Sequence, residues 1–596
     1  MPASTSSSTT APPPPRPKPK PRSRNRPPPL SMEAWRQFFQ VAKPYWLGSQ
    51  RRAAWGLLAL LVVLMLAETQ FAVMLNHQTG ELTSALAARD ADRFWHSVRL
   101  CLAILAFAVP IYAFYYYMRD AFSNHWRRWL TGRFLDGYLA DRRYYELGNS
   151  GEIDNPDQRI SEDINTFTGR STHFLLIFLG SLMQLLAFGA VLWAISPLLV
   201  GILAVYTVLG TVVALWVFGV PLIKLNFWQL RREADFRFGL MRLRENAEAI
   251  AFYRGEQQER AQIERRFDAV YQNYAALIKK QRALNLFQRG FSQLTLVVPS
   301  VILAGRVLSG ELEVGLAVQA GGAFAAVLTA VSLIVDNFES LSRFVAGIGR
   351  LHTLSQLLQH KQDVKSGAPR LIERQEGEQI ALEQLSLYTP QHERVLIKAL
   401  DLQLAPGDSL LITGASGCGK SSLLRAIAGL WRLGEGRVRH PPLEQLFFLP
   451  QRPYMQLGSL RSQILYPGLS AAGTEPDAAR LLQILADVQL PDLAERVGGL
   501  DAEQDWEKLL SIGEQQRLAF ARVLVHRPAI VILDEATSAL DSANEARLYE
   551  LLRAQQTTLI SIAHRAALLV HHRQVLELQG DGGWRLCAAS DYRFEG

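Results

Sequence analysis

Six apolar stretches, near residues 54–75, 98–118, 174–195, 198–220, 290–308 and 314–338, constrain this chain more than any other feature. Each approaches the roughly 20 residues that a helix needs to cross a hydrocarbon core about 30 Å thick. Inside lipid a backbone N–H or C=O without a partner is costly, so runs of this length fold as helices. The connections between them alternate in character. Those after the first, third and fifth stretches are short or weakly basic, whereas 119–173 and 221–289 are long and rich in arginine. Because Lys and Arg accumulate on the cytoplasmic side, both termini are expected in the cytoplasm. The long connections carry Arg, Glu, Gln and apolar residues with few helix breakers, which predicts helices that continue beyond the membrane.

With 596 residues the chain exceeds a single core and implies two or more domains. Its 49% hydrophobic and 20% charged residues are averages over an apolar first half and a polar second half. The net charge of +8 sits largely in the N-terminal tail and in the loops assigned to the cytoplasm. That distribution fits membrane topology, and no nucleic-acid partner is expected. Cys101, Cys418 and Cys587 are scattered without metal-ligand spacing, so neither a disulfide framework nor a zinc site is expected. Residues 1–31, a Ser/Thr/Pro and then Pro/Lys/Arg tail without an acidic side chain, are expected to be disordered near anionic lipid and lack the apolar core of a secretory signal. The remaining divisions are a membrane domain at 32–360, a linker at 361–377 and a second domain at 378–596, opened by strand-like Gln379-Ile-Ala-Leu382.

The second domain contains G-x-x-x-x-G-K-S, written here as Gly414-Ala415-Ser416-Gly417-Cys418-Gly419-Lys420-Ser421 and followed by Ser422. An apolar strand, Ser409 to Thr413, precedes it and a helical run follows, the context that a phosphate-binding loop needs. Backbone N–H groups and the helix N-terminus cradle phosphate oxygens, Lys420 reaches the β- and γ-phosphates, and the Ser421 hydroxyl ligates Mg²⁺. Downstream, the all-apolar Ala529 to Leu533 ends in Asp534 and Glu535, two carboxylates at the C-terminal edge of a parallel sheet. Asp534 is expected to organise Mg²⁺ and Glu535 to polarise the attacking water.

Gln451, Leu510-Ser511-Ile512-Gly513-Glu514 and His564 complete an ordered series around these motifs. From about residue 32 onward the chain resembles an ATP-binding cassette (ABC) half-transporter. The resemblance implies a membrane all-α six-helix exporter-type domain joined to an α/β P-loop nucleotide-binding domain, with ATP and Mg²⁺ as cofactors and ATPase activity coupled to transport. By that resemblance Tyr388 stacks on adenine, Gln451 links Mg²⁺ to the permease, His564 is the switch histidine, and Ser538-Ala-Leu-Asp541 joins opposing sites. In the signature segment the usual Leu-Ser-Gly-Gly-Gln is replaced, but Ser511 and Gly513 remain to face the ATP of a second subunit. One cassette per chain therefore implies a homodimer, or a dimer with a related half-transporter.

Longer matches resemble the peroxisomal fatty-acyl subfamily and its bacterial relatives: Leu449-Pro-Gln-Arg-Pro-Tyr-Met455, Gly458-Ser-Leu460 and Asp505-Trp506 in the cassette, and Asn155-Pro-Asp-Gln158 and Glu248-Ala-Ile-Ala-Phe-Tyr253 with Gly255 in the two long connections. The last two are assigned to coupling. Substrates in those relatives include cobalamin, peptides and fatty acyl compounds, and a bacterial inner membrane is the expected location.

Ionisable side chains inside a span cost about 2.5–3.5 kcal/mol on insertion scales, so they usually face a bundle interior or a watery path. Glu68, with Asp336 and Glu339 and the neutral Gln184, Gln293 and Gln319, is therefore expected to line a polar translocation cavity; interhelical hydrogen bonding is the competing role. Two rival mechanisms keep the same architecture: a proton-driven carrier working through Glu68 with a regulatory cassette, and an ATP-gated channel or regulator. Cys418 is expected to be an exposed thiol in the empty phosphate loop, protected from alkylation by ATP.

Overall fold

Length and apolarity set the first half of the computed structural model, which describes residues 32–150, 156–359, 371–389, 394–468 and 475–594. The expected tail at 1–31 lies outside these residues. The chain divides into two units, Met1–Lys361 and Gln362–Gly596. Among the described residues of the first, six helical segments are long and apolar enough to cross a membrane: Arg51–Ala88, Ala91–Gly148, Pro156–Ile195, Pro197–Glu245, Glu256–Leu308 and Val314–Leu333. Two uninterrupted helices, Ala91–Leu139 and Glu256–Leu308, run for 49 and 53 residues. At 1.5 Å per residue they are about 70–80 Å long, more than twice a bilayer core. The expected continuation of helices into the long connections is thus what the structure contains.

Their interruptions have local causes. After Leu139 the chain turns where Asp141 and Arg142 take φ of 51° and 58°. Arg254, at φ 53°, ends a short helix at Ala247–Tyr253, which carries Phe252 and Tyr253 at 79% and 88% exposure. Of Asn155-Pro-Asp-Gln158, the Asn lies outside the described residues and Pro156–Gln158 forms one helical turn. The sixth spanning helix stops at Asp336, two residues short of its expected end, before a new helix at Phe338–Gln359.

Specific contacts fix these helices against one another. The first and sixth spans cross so closely that a Cβ placed on Gly80 would lie 2.7 Å from the Gly315 carbonyl oxygen, a small-residue contact of the kind that lets membrane helices approach. At the ends of these spans Arg93 donates to Glu81 at 2.8 Å and to Glu313 at 3.0 Å, joining two turns. Farther along, buried Asn273 donates to the Leu225 carbonyl at 3.0 Å and to the Gln229 side chain at 2.8 Å, bracing the extensions of the fourth and fifth segments. The N-terminal helix Met32–Leu47 turns Val41, Ala42 and Tyr45 inward, with the Tyr45 ring stacked on Trp126 at 5.1 Å.

The second unit is built on two sheets. Strands β1 (Glu373–Glu376), β2 (Ile380–Tyr388), β3 (Val395–Leu404) and β5 (Gly434–His440) form one, in the order β1-β5-β2-β3. Strands β4 (Ser409–Gly414), β6 (Leu446–Leu449), β7 (Ile530–Asp534), β8 (Thr558–Ile562), β9 (Gln574–Leu578) and β10 (Trp584–Ala588) form the other, in the order β10-β9-β4-β8-β7-β6. All its pairings are parallel except β9 with β10. Both faces of this sheet are buried: Leu411, Val531, Leu559 and Val575 enter one core, and Leu410, Ile412, Ile532, Ile560 and Leu576 the other. Such strands read as unbroken apolar runs because both sides are covered, one by helices and the other by the four-stranded sheet together with the helix Lys420–Ile427. Strand β1 corrects the expected linker, since Glu373–Glu376 pairs in parallel with Arg437–His440 instead of forming an open connection.

Candidate nucleotide site

A parallel sheet gathers the C-terminal ends of its strands along one edge, and the motifs lie just after four neighbouring strands there. The phosphate loop follows β4, His564 follows β8, Asp534 ends β7 with Glu535 next, and Gln451 follows β6. Gly414, Gly417 and Gly419 hold φ of 134°, 78° and 109°, conformations that residues with a Cβ avoid. Behind them Lys420–Ile427 starts a helix whose first N–H groups face the loop. Lys420 is buried and donates to the carbonyls of Gly414 at 2.8 Å and Ala415 at 3.0 Å. Ser416 is exposed, and Ser421 and Ser422 are half-buried.

The acidic pair is held differently by its two neighbourhoods. Asp534 faces the Ser421 hydroxyl, Oδ1 to Oγ, at 3.5 Å. Burial pushes its carboxyl above the usual range, with the Ser421 hydrogen bond opposing that shift. Glu535 takes a left-handed φ of 50° and donates its backbone N–H to the Ile562 carbonyl at 3.1 Å. Its side chain is met from two sides, by Gln451 Nε2 at 3.1 Å and His564 Nε2 at 3.6 Å. Tyr388, at the end of β2 in the other sheet, donates its hydroxyl to Glu435 at 3.3 Å.

The signature segment begins the helix Ile512–His526, with Ser511 as its N-cap. Gly513 lies close to the following loop, where a Cβ would come 3.1 Å from the Ala539 carbonyl oxygen. The family description of the ABC transporter transmembrane region 2 matches residues 43–308, and that of the ABC transporter matches 397–538. Along almost the whole chain, 35% of 621 aligned residues are identical to ABC transporter D family member 2, chloroplastic, of Arabidopsis thaliana, covering 93% of this chain and 88% of the relative.

The chain belongs to the ABC transporter family.

It is also 44% identical over 553 residues to an ABC transporter ATP-binding protein of Synechocystis, covering 90% of this chain and 82% of that one. Identity to the lysosomal cobalamin transporter ABCD4 of Homo sapiens is 31% over 605 residues, covering 94% and 97%. This ABC half-transporter is therefore an integral membrane protein of the D-family type, an ATP-binding ATPase coupled to transport.

Several side chains that organise the site carry no motif signal. Gln516, on the signature helix, donates to the Gln451 carbonyl at 2.9 Å and accepts from the Ala539 N–H at 3.1 Å. One buried amide thus joins the segments of Gln451, Ser511 and Ser538-Ala-Leu-Asp541. Arg565 donates to the carbonyls of Leu540 at 3.0 Å and Ser538 at 3.1 Å, and to Glu545 at 3.3 Å. Buried Arg522 donates to the carbonyls of Gln463 at 2.8 Å and Tyr454 at 2.9 Å, and burial lowers its guanidinium to about 10, so it stays charged at neutral pH. Trp506 donates to the Gly458 carbonyl at 2.7 Å. Trp506 and Gly458 belong to segments singled out in the sequence, whereas for Gln516, Arg565 and Arg522 only the hydrogen bonds made in the fold reveal the role.

One expectation changes. Cys418 is 2% exposed, packed among Leu396, Ile412 and Leu423 in the core beside β4, so it is not an accessible thiol. Of the residues expected to line a cavity, Gln319 is buried at the crossing of the first and sixth spans, where its carbonyl accepts from Asn76 at 3.0 Å, Gln293 is exposed, and Glu68 and Gln184 are half-buried. The side chains of Asp336 and Glu339 lie outside the described residues. A cavity of about 480 Å³ lies among the fourth to sixth segments, lined by Thr207, Thr211, Asn285, Arg289, Ser292 and Thr329 among others. An apolar cavity of about 640 Å³, lined by Leu185, Trp193 and Leu203 among others, shares Thr207 and Val331 with it.

Proposed function

We propose that this ABC half-transporter works as a homodimer that hydrolyses ATP at two composite sites to move an amphiphile across the bilayer by alternating access. The observation that carries the chemistry is the convergence of Gln451 and His564 on the two oxygens of Glu535. A carboxylate flanked by a donor and a histidine is equipped to accept a proton from an attacking water. In this reading Glu535 is the base and His564 holds the geometry around the γ-phosphate. Gly414, Gly417, Cys418 and Gly419 supply backbone donors, and Lys420 leaves its own loop carbonyls for phosphate. Tyr388 stacks on adenine, and Ser511 and Gly513 of the partner subunit's signature close the site.

The oxygens of Ser421, Asp534 and Gln451 are hard donors that suit Mg²⁺, and the 3.5 Å approach of Ser421 Oγ to Asp534 Oδ1 fits that use. When bound, Mg²⁺ neutralises charge on the β- and γ-phosphates.

The finer substrate class rests on the two cavities. A cavity bearing Arg289 and Asn285 among apolar side chains, which shares Thr207 and Val331 with an apolar cavity, favours a solute with a polar or anionic end and an apolar body. Fatty acyl compounds, amphipathic peptides and cobalamin remain the candidates. Exposed Phe252 and Tyr253 and the turn at Pro156–Gln158 are assigned to coupling with the cassettes. Both termini face the cytoplasm, and the membrane is a bacterial inner membrane.

ATPase activity in lipid, measured with acyl compounds, peptides, cobalamin and lipids added in turn, tests this reading. One class is expected to stimulate hydrolysis, and Arg289→Gln is expected to weaken that stimulation several-fold without changing the basal rate. Indifference to every addition would remove the substrate assignment.

A further inference from the structure

Three groups meet at the start of the signature helix. Ser511 caps it and Glu514 completes a capping box: the Ser511 N–H and hydroxyl both donate to Glu514 Oε2 at 2.9 Å, and the Glu514 N–H donates to Ser511 Oγ at 3.3 Å. The other carboxylate oxygen, Oε1, accepts from Arg496 at 2.7 Å. Arg496 arrives from a different element, the short helix Leu493–Val497, and is half exposed, while Glu514 is largely covered.

This arrangement bears on phosphate binding. A helix N-terminus favours an anion, and here an anion of the chain's own already occupies the cap. A serine hydroxyl has one proton, and that of Ser511 is given to Glu514. A phosphate docking on this end of the helix must take that proton and sit beside a carboxylate. Burial alone would raise Glu514, but the Arg496 hydrogen bond and the Ser511 donors outweigh it and hold the carboxyl below its ordinary value, so the charge is present at neutral pH.

We propose that Glu514 is a resident competitor for the phosphate that the signature helix receives, and that Arg496 is a positioning residue that neutralises Glu514 and draws it aside. The proposal rests on the reading that this helix closes over the ATP of a partner subunit, and it adds how that closure is regulated. Arg496 touches no reacting atom; it acts through Glu514. The pair sets the ATP concentration at which the dimer closes and leaves the chemical step alone.

The test uses the full chain in lipid nanodiscs and follows ATPase rate against ATP concentration. Glutamine retains the capping box, so Glu514→Gln removes the charge while keeping the helix start. It is expected to lower half-saturating ATP about threefold with kcat little changed, the scale of a partly exposed charge pair. Arg496→Ala is expected to raise half-saturation by about the same factor, and Arg496→Lys to restore it. Combined with Glu514→Gln, Arg496→Ala is expected to have no effect. Should Arg496→Ala act equally in both backgrounds, or Glu514→Gln raise half-saturation, the proposal is overturned. Ser511→Ala separates the two layers. Loss of hydrolysis with fluorescent ATP analogue still bound supports closure over ATP, whereas unchanged hydrolysis removes that reading and this inference with it.

Discussion

The cassette and the membrane half bring polar residues together by different rules. In the cassette, Gln451, Asp534, Glu535 and His564 lie up to 113 residues apart along the chain but follow three adjacent parallel strands, so register alone delivers them to one edge. In the membrane half, Glu68, Gln184, Gln293 and Gln319 occupy four different helices, and rotation about each helix axis decides what each meets. One side chain became a buried helix-crossing residue and another an exposed one. A sheet converts sequence position into spatial position directly; a helix bundle does so only through packing.

If the cassette depends on a few interlocked buried groups, single truncations there should cost most. Trp506→Ala removes a fully buried ring and its hydrogen bond to Gly458, and should destabilise the cassette by about 3–5 kcal/mol, read by denaturant unfolding. Acid should sharpen the contrast. Burial depresses His572 to about 4, where it bonds to Leu568 and Ser561 as a neutral ring. Since the unfolded chain protonates this histidine first, its stabilisation is complete above pH 6.5 and is lost as pH falls toward 4, up to about 3 kcal/mol. His572→Gln should flatten that part of the cassette's stability–pH curve.

The membrane half should answer chiefly to packing. Gly315→Val drives a side chain into the backbone of the first span and should cost about 1–3 kcal/mol, seen as a lower melting temperature with nucleotide binding by the cassette retained. The smallest effect concerns Cys418. Because the thiol is buried, alkylation should be slow and nearly equal with and without ATP, measured by mass spectrometry. Rapid labelling blocked by ATP would restore the accessible thiol expected from sequence.

What could be read in advance follows the same division. The spans were legible because bilayer thickness sets a length, and the nucleotide site because phosphate needs glycines, a lysine and strand-end carboxylates at fixed spacing. Strand β1 was hidden, since Glu373-Arg-Gln-Glu376 is polar and gains its place only by pairing with β5. Gln516, Arg565 and Asn273 were hidden because one amide or guanidinium reveals nothing until the backbone groups it bridges are adjacent. The burial of Cys418 was hidden because a place in a motif does not give side-chain direction, and here the thiol turns into the core beside β4.

The central claim is that hydrolysis at Glu535 powers movement of solute. ATP-dependent accumulation of the stimulating amphiphile in proteoliposomes, with the proton gradient collapsed, should proceed in the wild type. In Glu535→Gln it should fall by about 10²–10⁴-fold, the range for loss of a general base. Accumulation that survives in Glu535→Gln but vanishes with the proton gradient would contradict the account and return Glu68 to the centre of the mechanism.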